Sequence, residues 1–205
     1  MIRDRAARHA NLPCGYYVLP PGTVANAVTW LELREPARLA GVTPLRTEEV
    51  RAPFFTSYRQ LMRDIGAPLL WERATQLSDD ELLAVFAGGD TRAFIATDDH
   101  GGLAGLIELV DRGDDGLEIA YFGLCPDRSG LGLGRRLMAA SIEIAGEASN
   151  VWLHTSSFDH PAALHFYVRC GFVPVATGFE ILDDPRANGL LPSDTASHIP
   201  LVPPG

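Results

Sequence analysis

The 205 residues are 46% hydrophobic with a formal net charge of -9, apolar enough to bury one good core and too negative for a nucleic-acid partner, which needs clustered Lys and Arg. Cys14, Cys125 and Cys170 are odd in number, far apart and without Cys-x-x-Cys spacing, which argues against a disulfide framework and against a zinc site. No run approaches the ~18 apolar residues of a membrane span, and the N-terminus, with Arg3, Arg5 and Arg8, lacks the apolar stretch of a secretory signal. A cytoplasmic protein without metal or membrane is expected, with a homodimer as an allowed assembly.

In chain order, residues 1–23 read as an N-terminal extension, with an extended piece over 14–19 and a turn at Pro20, Pro21 and Gly22. Residues 24–183 read as one domain. Its first strand spans 24–34, and 39–47 read as loop. Phe54, Tyr58, Leu61, Met62 and Ile65 recur at helical spacing until Gly66 and Pro68. Ser78 and Glu81 form a capping box that opens a second helix running to Gly88. Strands over 92–97 and 103–111 make a hairpin around Asp98 to Gly102, and a tight turn over 112–116 leads into a third antiparallel strand that ends at Cys125. Leu133, Leu137, Ala140 and Ile144 follow at helical spacing, then a strand over 151–155. A helix opened by Asp159 or His160 and stopped by Gly171 comes next, then a strand over 172–179. The helix joining the 116–124 and 151–155 strands requires them to pair in parallel. The fold class is therefore α/β, a mixed, mostly antiparallel sheet with helices on both faces. Residues 184–205, rich in proline and without apolar period, read as an irregular tail lacking a packed face.

The most informative stretch is residues 116–145, where a strand breaks into Ser129-Gly130-Leu131-Gly132-Leu133-Gly134 and the glycines open a helix. A helix N-terminus offers unpaired N–H groups and a positive dipole end, and missing side chains let an anion approach. Close packing of the helix on its strand would call for the same glycines. A P-loop is excluded, because Gly134 is followed by Arg135 and Arg136 rather than Lys and Ser/Thr. A dinucleotide fold is disfavoured, because the next strand ends in histidine and threonine, not an acid. His154 and Asp159 have the spacing of a phospholipid-type acyltransferase motif but straddle a strand end and a helix start, so the match reads as coincidence. His160 and His165 are five apart and make no metal pair. Cys125 beside the glycines reads as an inert thiol.

This strand, glycine loop and helix resemble the central motif of the GNAT N-acetyltransferase superfamily, Gln/Arg-x-x-Gly-x-Gly/Ala, with Gly132 and Gly134 in the glycine places and Ser129 where Gln or Arg is usual. The segment from His160 to Phe172, with Tyr167 and Gly171-Phe172, resembles the family's late helix, and the likeness is specific over residues 102–179. The resemblance implies a GNAT fold and acetyl-CoA as cosubstrate. Its pyrophosphate would lie on Gly130, Leu131, Gly132, Leu133, Gly134 and Arg135, with further contacts at Phe122, Gly123, Leu124 and His160. The implied reaction is direct acetyl transfer to a small amine in a ternary complex, with Glu118 as base and Tyr167 as proton donor to the thiolate. Without it, Glu118 could be a solvent-facing strand residue and Tyr167 a core aromatic. Helices early in the chain would wall the acceptor pocket, making Tyr58 and Trp71 candidate contacts. A strand bulge near Leu124 would free an N–H for the oxyanion. A non-catalytic acyl-CoA-binding module is the alternative.

The hairpin adds one expectation of its own. Pairing Asp111 with Asp115 sets Glu108 opposite Glu118 on one face, where like charges repel until a cationic amine sits between them and before that share a proton. On that register Glu108 binds the ammonium that Glu118 deprotonates.

Overall fold

The computed structural model describes residues 13–71 and 77–204; residues 1–12, most of the expected N-terminal extension, lie outside the described residues. Seven strands form one sheet: β1 (Thr23–Leu33), β2 (Arg46–Glu49), β3 (Thr91–Thr97), β4 (Leu103–Asp111), β5 (Leu117–Leu124), β6 (Val151–Ser156) and β7 (Phe172–Asp183). Among the described residues the α-helices are α1 (Phe55–Leu61), α2 (Asp79–Ala87), α3 (Leu133–Ala145) and α4 (Ala163–Arg169). Strand order is β2-β3-β4-β5-β6-β1-β7, antiparallel throughout except for β5 and β6. This is the expected α/β architecture.

Alternation along β4 and β5 divides the core. Ile107, Leu109 and Ile119 face Leu137, Met138 and Ala140 of α3 and Tyr167 of α4. Leu106, Ala93 and Ile95 face Phe55, Tyr58 and Leu61 of α1 and Leu82 of α2. The Ser78 capping box is present, with the Ser78 Oγ accepting from the Glu81 N–H and Glu81 accepting from the Ser78 N–H at 2.8 Å. No helix among the described residues is long and apolar enough to cross a membrane.

Three sequence expectations change, and the sheet also fixes the place of β1, on which the sequence alone carries no expectation. Arg46 and Thr47, the end of the segment read as loop, form edge strand β2 with Glu48 and Glu49 against β3; a four-residue edge strand needs no apolar alternation, since one side of it meets water. The first long strand, β1, lies in the sheet interior between β6 and β7. Chain order does not reveal this, because its partners, such as His154 opposite Trp30, are over a hundred residues away. The late helix begins at Ala163, after Pro161, while Asp159 turns back to accept from Thr155 Oγ1 and the Ser156 N–H, both at 2.8 Å. The tail is irregular but packed. Leu191 is buried against Val24, Leu70 and Phe158, with Ala196 and Ile199 alongside.

Gly171, between α4 and β7, has φ +100°, and its carbonyl accepts from the N–H groups of Arg34 and Glu35, both at 3.0 Å. A Cβ there would collide with the Glu35 carbonyl. The glycine therefore lets the end of β1 lie against the start of β7.

Candidate active site

The glycine loop presents its backbone outward. Gly130 and Gly132 have φ +79° and +77°, and no atom lies within 4 Å of where either Cβ would stand. Gly132 is the N-cap of α3 and supplies no side-chain cap. Among the described residues the N–H groups of Gly130, Leu131 and Gly132 donate to nothing. Those of the first turn, Leu133 to Arg135, have no intrahelical acceptor to reach. The result is a row of donors at the positive end of a helix, in open space, which fits a pyrophosphate. Gly134 differs from the expectation. Its Cβ would stand 3.2 Å and 3.4 Å from ring atoms of Phe166, so this glycine serves the packing of α3 on α4.

The flanking arginines brace the loop. Arg136 is held bidentately by Asp99 at 2.8 and 2.7 Å and donates to the Thr43 carbonyl, while Arg128 pairs with Asp98 at 3.0 Å. The β3–β4 turn is thereby tied to the loop. Arg135 donates to the Arg38 carbonyl at 2.7 Å and pairs with no carboxylate among the described residues, which leaves its charge available to an anion.

Behind the loop the sheet forks. β5 and β6 pair only from Leu117↔Val151 to Ile119↔Leu153, so the β6-facing backbone groups of Phe122 and Leu124 are left without a strand partner among the described residues. Such groups need another partner, water or a ligand amide. The register of β4 against β5 slips between Glu108 and Leu109, which makes Ala120 the extra residue. The bulge thus sits at the fork, four residues before the expected place at Leu124, which instead pairs with Gly105. On the α4 side of the fork the Phe122 ring lies 5.8 Å from Phe166 and 6.0 Å from Tyr167. Tyr167 is buried, and its hydroxyl makes no hydrogen bond among the described residues. Burial, with the charges of Asp159 and Cys170 added, pushes its phenol well above the usual range. His160, expected at the cofactor, uses Nδ1 to accept from the Ala162 N–H at 3.1 Å.

The Glu108–Glu118 pair does not form. Asp111 pairs with Leu117, Val110 with Glu118, and Glu108 with Tyr121. A shift of two residues keeps both carboxylates on one face but separates them along the strands, and each finds its own partners. Glu108 is fully buried and accepts from Tyr58 Oη at 2.6 Å. Trp71 packs edge-on against Tyr121 with centroids 4.8 Å apart. Tyr58, Trp71 and Glu108 are therefore brought together, but Tyr58 and Glu108 face inward and offer a substrate no surface.

Glu118 is also buried, and both of its oxygens are occupied. Oε2 accepts from Arg112 Nε at 2.7 Å and pairs with its terminal nitrogen at 2.6 Å, and Oε1 lies 3.1 Å from His154 Nδ1. Burial pushes its carboxyl up, but the hydrogen bonds from His154 and Arg112 outweigh this and hold it below the ordinary carboxylate value. The expectation of a raised, proton-sharing acid is reversed. Sequence reasoning missed Arg112 and His154 as its partners. The signal was present: in the parallel register Glu118 stands beside Trp152, and two residues on, His154 shares that face.

A model of the acetyltransferase (GNAT) family matches residues 54–172. Among solved structures, a conserved protein of unknown function from Staphylococcus epidermidis ATCC 12228 is similar, with a TM-score of 0.63 at 17% identity over 80% of this chain and 63% of that one. This chain thus spans less than two thirds of that protein's length. Spermidine N-acetyltransferase from Vibrio cholerae, in complex with CoA and spermine, is similar with a TM-score of 0.52 at 19% identity, over 68% of this chain and 96% of that one. Likeness at these identities is a likeness of fold. No functionally curated protein matches. The family model covers more than half of the chain, from α1 to the start of β7, and takes in both the glycine loop and the fork; the protein belongs to the GNAT acetyltransferase family.

Proposed function

We propose that the protein transfers the acetyl group of acetyl-CoA to the amine of a small molecule by direct attack in a ternary complex. The observation that carries this reading is the pair of backbone surfaces without a partner among the described residues, the N–H groups of Gly130 to Gly132 and the β6-facing groups of Phe122 and Leu124 at the end of β5. The first suits a pyrophosphate, and the second suits the amide groups of the coenzyme arm. Bound there, the cosubstrate supplies the activated acetyl thioester at the fork.

Tyr167 borders the fork through Phe122 and holds its proton at any working pH, so it offers a hydrogen-bond donor to a thiolate as the thiolate forms. An acceptor amine would enter from the α1 face, edged by Trp71 over Tyr121, with the Tyr58–Glu108 pair fixing that wall from beneath. The V. cholerae enzyme in its complex with spermine is consistent with an amine in this role. The test is free-thiol release with polyamines, aminoglycosides, amino acids and peptide N-termini. Release with at least one class supports the reading, whereas coenzyme affinity without release from any would establish a binding module instead.

A Tyr167→Phe variant should keep coenzyme affinity and lower kcat by roughly 10²-fold, the low end for loss of a general acid. Titration calorimetry with coenzyme A and thiol-release kinetics check the two halves. Unchanged kcat across pH would remove Tyr167 from the mechanism.

A further inference from the structure

Given the transferase reading, on which this rests, we propose that His154 is the residue that takes the proton from the acceptor ammonium, with Glu118 and Arg112 as positioning residues that hold its ring at the fork. The pairing of β5 with β6 ends at Ile119↔Leu153. His154 is therefore the first β6 residue beyond the separation, level with the bulge at Ala120. Glu118 has 4% of its side chain exposed, and Arg112 and His154 occupy its two oxygens. His154 keeps 38% of its side chain exposed. With Nδ1 donating to Glu118, its Nε2 carries a free lone pair, and among the described residues nothing donates to it. The proton acceptor at this site is therefore the imidazole; the carboxylate orients it and fixes its tautomer.

The charges around the ring come from several elements. Glu118 on β5 carries Arg112 with it, Glu180 on β7 is bonded to Asn26, Asp159 follows β6, and Glu32 on β1 is paired with Arg34. Burial lowers the basicity of the imidazole, but the hydrogen bond to Glu118 and the charges of Glu118, Glu180 and Asp159 outweigh it and raise the ring above its ordinary value. A base is most effective with a pKa near the working pH. In the step itself, one N–H proton of the ammonium moves to Nε2 and the freed nitrogen pair attacks the thioester carbonyl carbon. The C–N bond forms, the C–S bond breaks with its electron pair on sulfur, and the thiolate accepts a hydrogen bond from the Tyr167 hydroxyl, which keeps its proton. The nitrogen's second surplus proton passes to the sulfur, and the imidazolium proton leaves to solvent from the exposed ring edge.

Thiol-release kinetics across pH on wild type, His154→Gln and Glu118→Gln test this. For the wild type, kcat/KM should rise with pH through a limb above the ordinary imidazole value. His154→Gln should retain coenzyme affinity, lower kcat by roughly 10²–10⁴-fold, lose that limb and regain part of the rate with added imidazole. Glu118→Gln should move the limb to lower pH, because the carboxylate that raises the ring is gone. Nitrogen NMR of the wild-type histidine rings should show an Nδ1-protonated neutral form for His154. Wild-type turnover with His154→Gln unchanged, or a neutral ring protonated at Nε2, would overturn this inference alone. No thiol release from the wild type with any amine would overturn the transferase reading and this inference with it.

Discussion

A Gly132→Leu variant is expected to stay folded and to lose coenzyme A affinity by roughly 100-fold, about 2.7 kcal/mol. The argument combines backbone and space. Gly132 sits at φ +77° with no atom within 4 Å of its would-be Cβ, so a leucine side chain meets no protein. Holding that left-handed conformation costs an L-residue roughly 1–2 kcal/mol, tolerable in a domain of ordinary stability. The side chain then fills the space before the N-terminus of α3, where a pyrophosphate would accept charge-assisted bonds worth about 1.5–3 kcal/mol each. Gly134→Leu provides the contrast. There the new Cβ stands 3.2 Å from Phe166, so α3 and α4 must shift, and the thermal midpoint should fall together with affinity. Calorimetry with coenzyme A beside thermal melts separates the two; a Gly132→Leu variant that binds as the wild type does would refute the pyrophosphate site.

How far the sequence could be read depended on whether the controlling interaction was local. The β4–β5 hairpin, the glycine loop and α3 could be placed because alternation, turn residues and helical spacing are written within a few neighbouring residues. The register of that hairpin could not, since the turn takes five residues rather than three and sets Glu118 opposite Val110, two positions from Glu108, while the bulge at Ala120 shifts the rest of β5 by one more, and an alanine carries no mark of a bulge. β2 is Arg-Thr-Glu-Glu, whose pairing lies wholly in the backbone. The place of β1 is set by β6 and β7, more than a hundred residues distant. The same non-locality hid the centre of the site. Glu118 was visible as an acid in an apolar strand, but whether it acts or positions depends on His154, a cross-strand neighbour, and on Arg112 folding back from the turn. Gly132 and Gly134 were indistinguishable as motif letters; one faces open space and the other faces Phe166.

The tail shows how much one buried ion pair can impose on a segment without secondary structure, and Asp184→Ala should destabilise the protein by about 3–5 kcal/mol at neutral pH. Asp184 and Arg186 each have 1% of the side chain exposed. The carboxylate accepts from Arg186 Nε at 3.0 Å, from its terminal nitrogen at 2.7 Å and from its backbone N–H at 2.9 Å. The remaining guanidinium nitrogen donates to the carbonyls of Thr195, Ala196 and Ile199. Those bonds fold the proline-rich segment over Leu191 and seat it on Leu70, Phe158 and Val24. Removing the carboxylate leaves a buried cation with half of its partners. By contrast, Asp184→Ala combined with Arg186→Met removes both charges and should recover part of the loss. The pH dependence has a definite sign. The Arg186 hydrogen bond holds the Asp184 carboxyl below its ordinary value, so the wild type's advantage is complete above the unfolded carboxyl pKa of about 3.9. It disappears as pH falls through the lower folded value. Urea unfolding of wild type and Asp184→Ala should therefore differ at pH 7 and converge in strong acid. A difference under ~0.5 kcal/mol at pH 7, the range of ordinary surface substitutions, would mean that the tail is held by its apolar contacts alone.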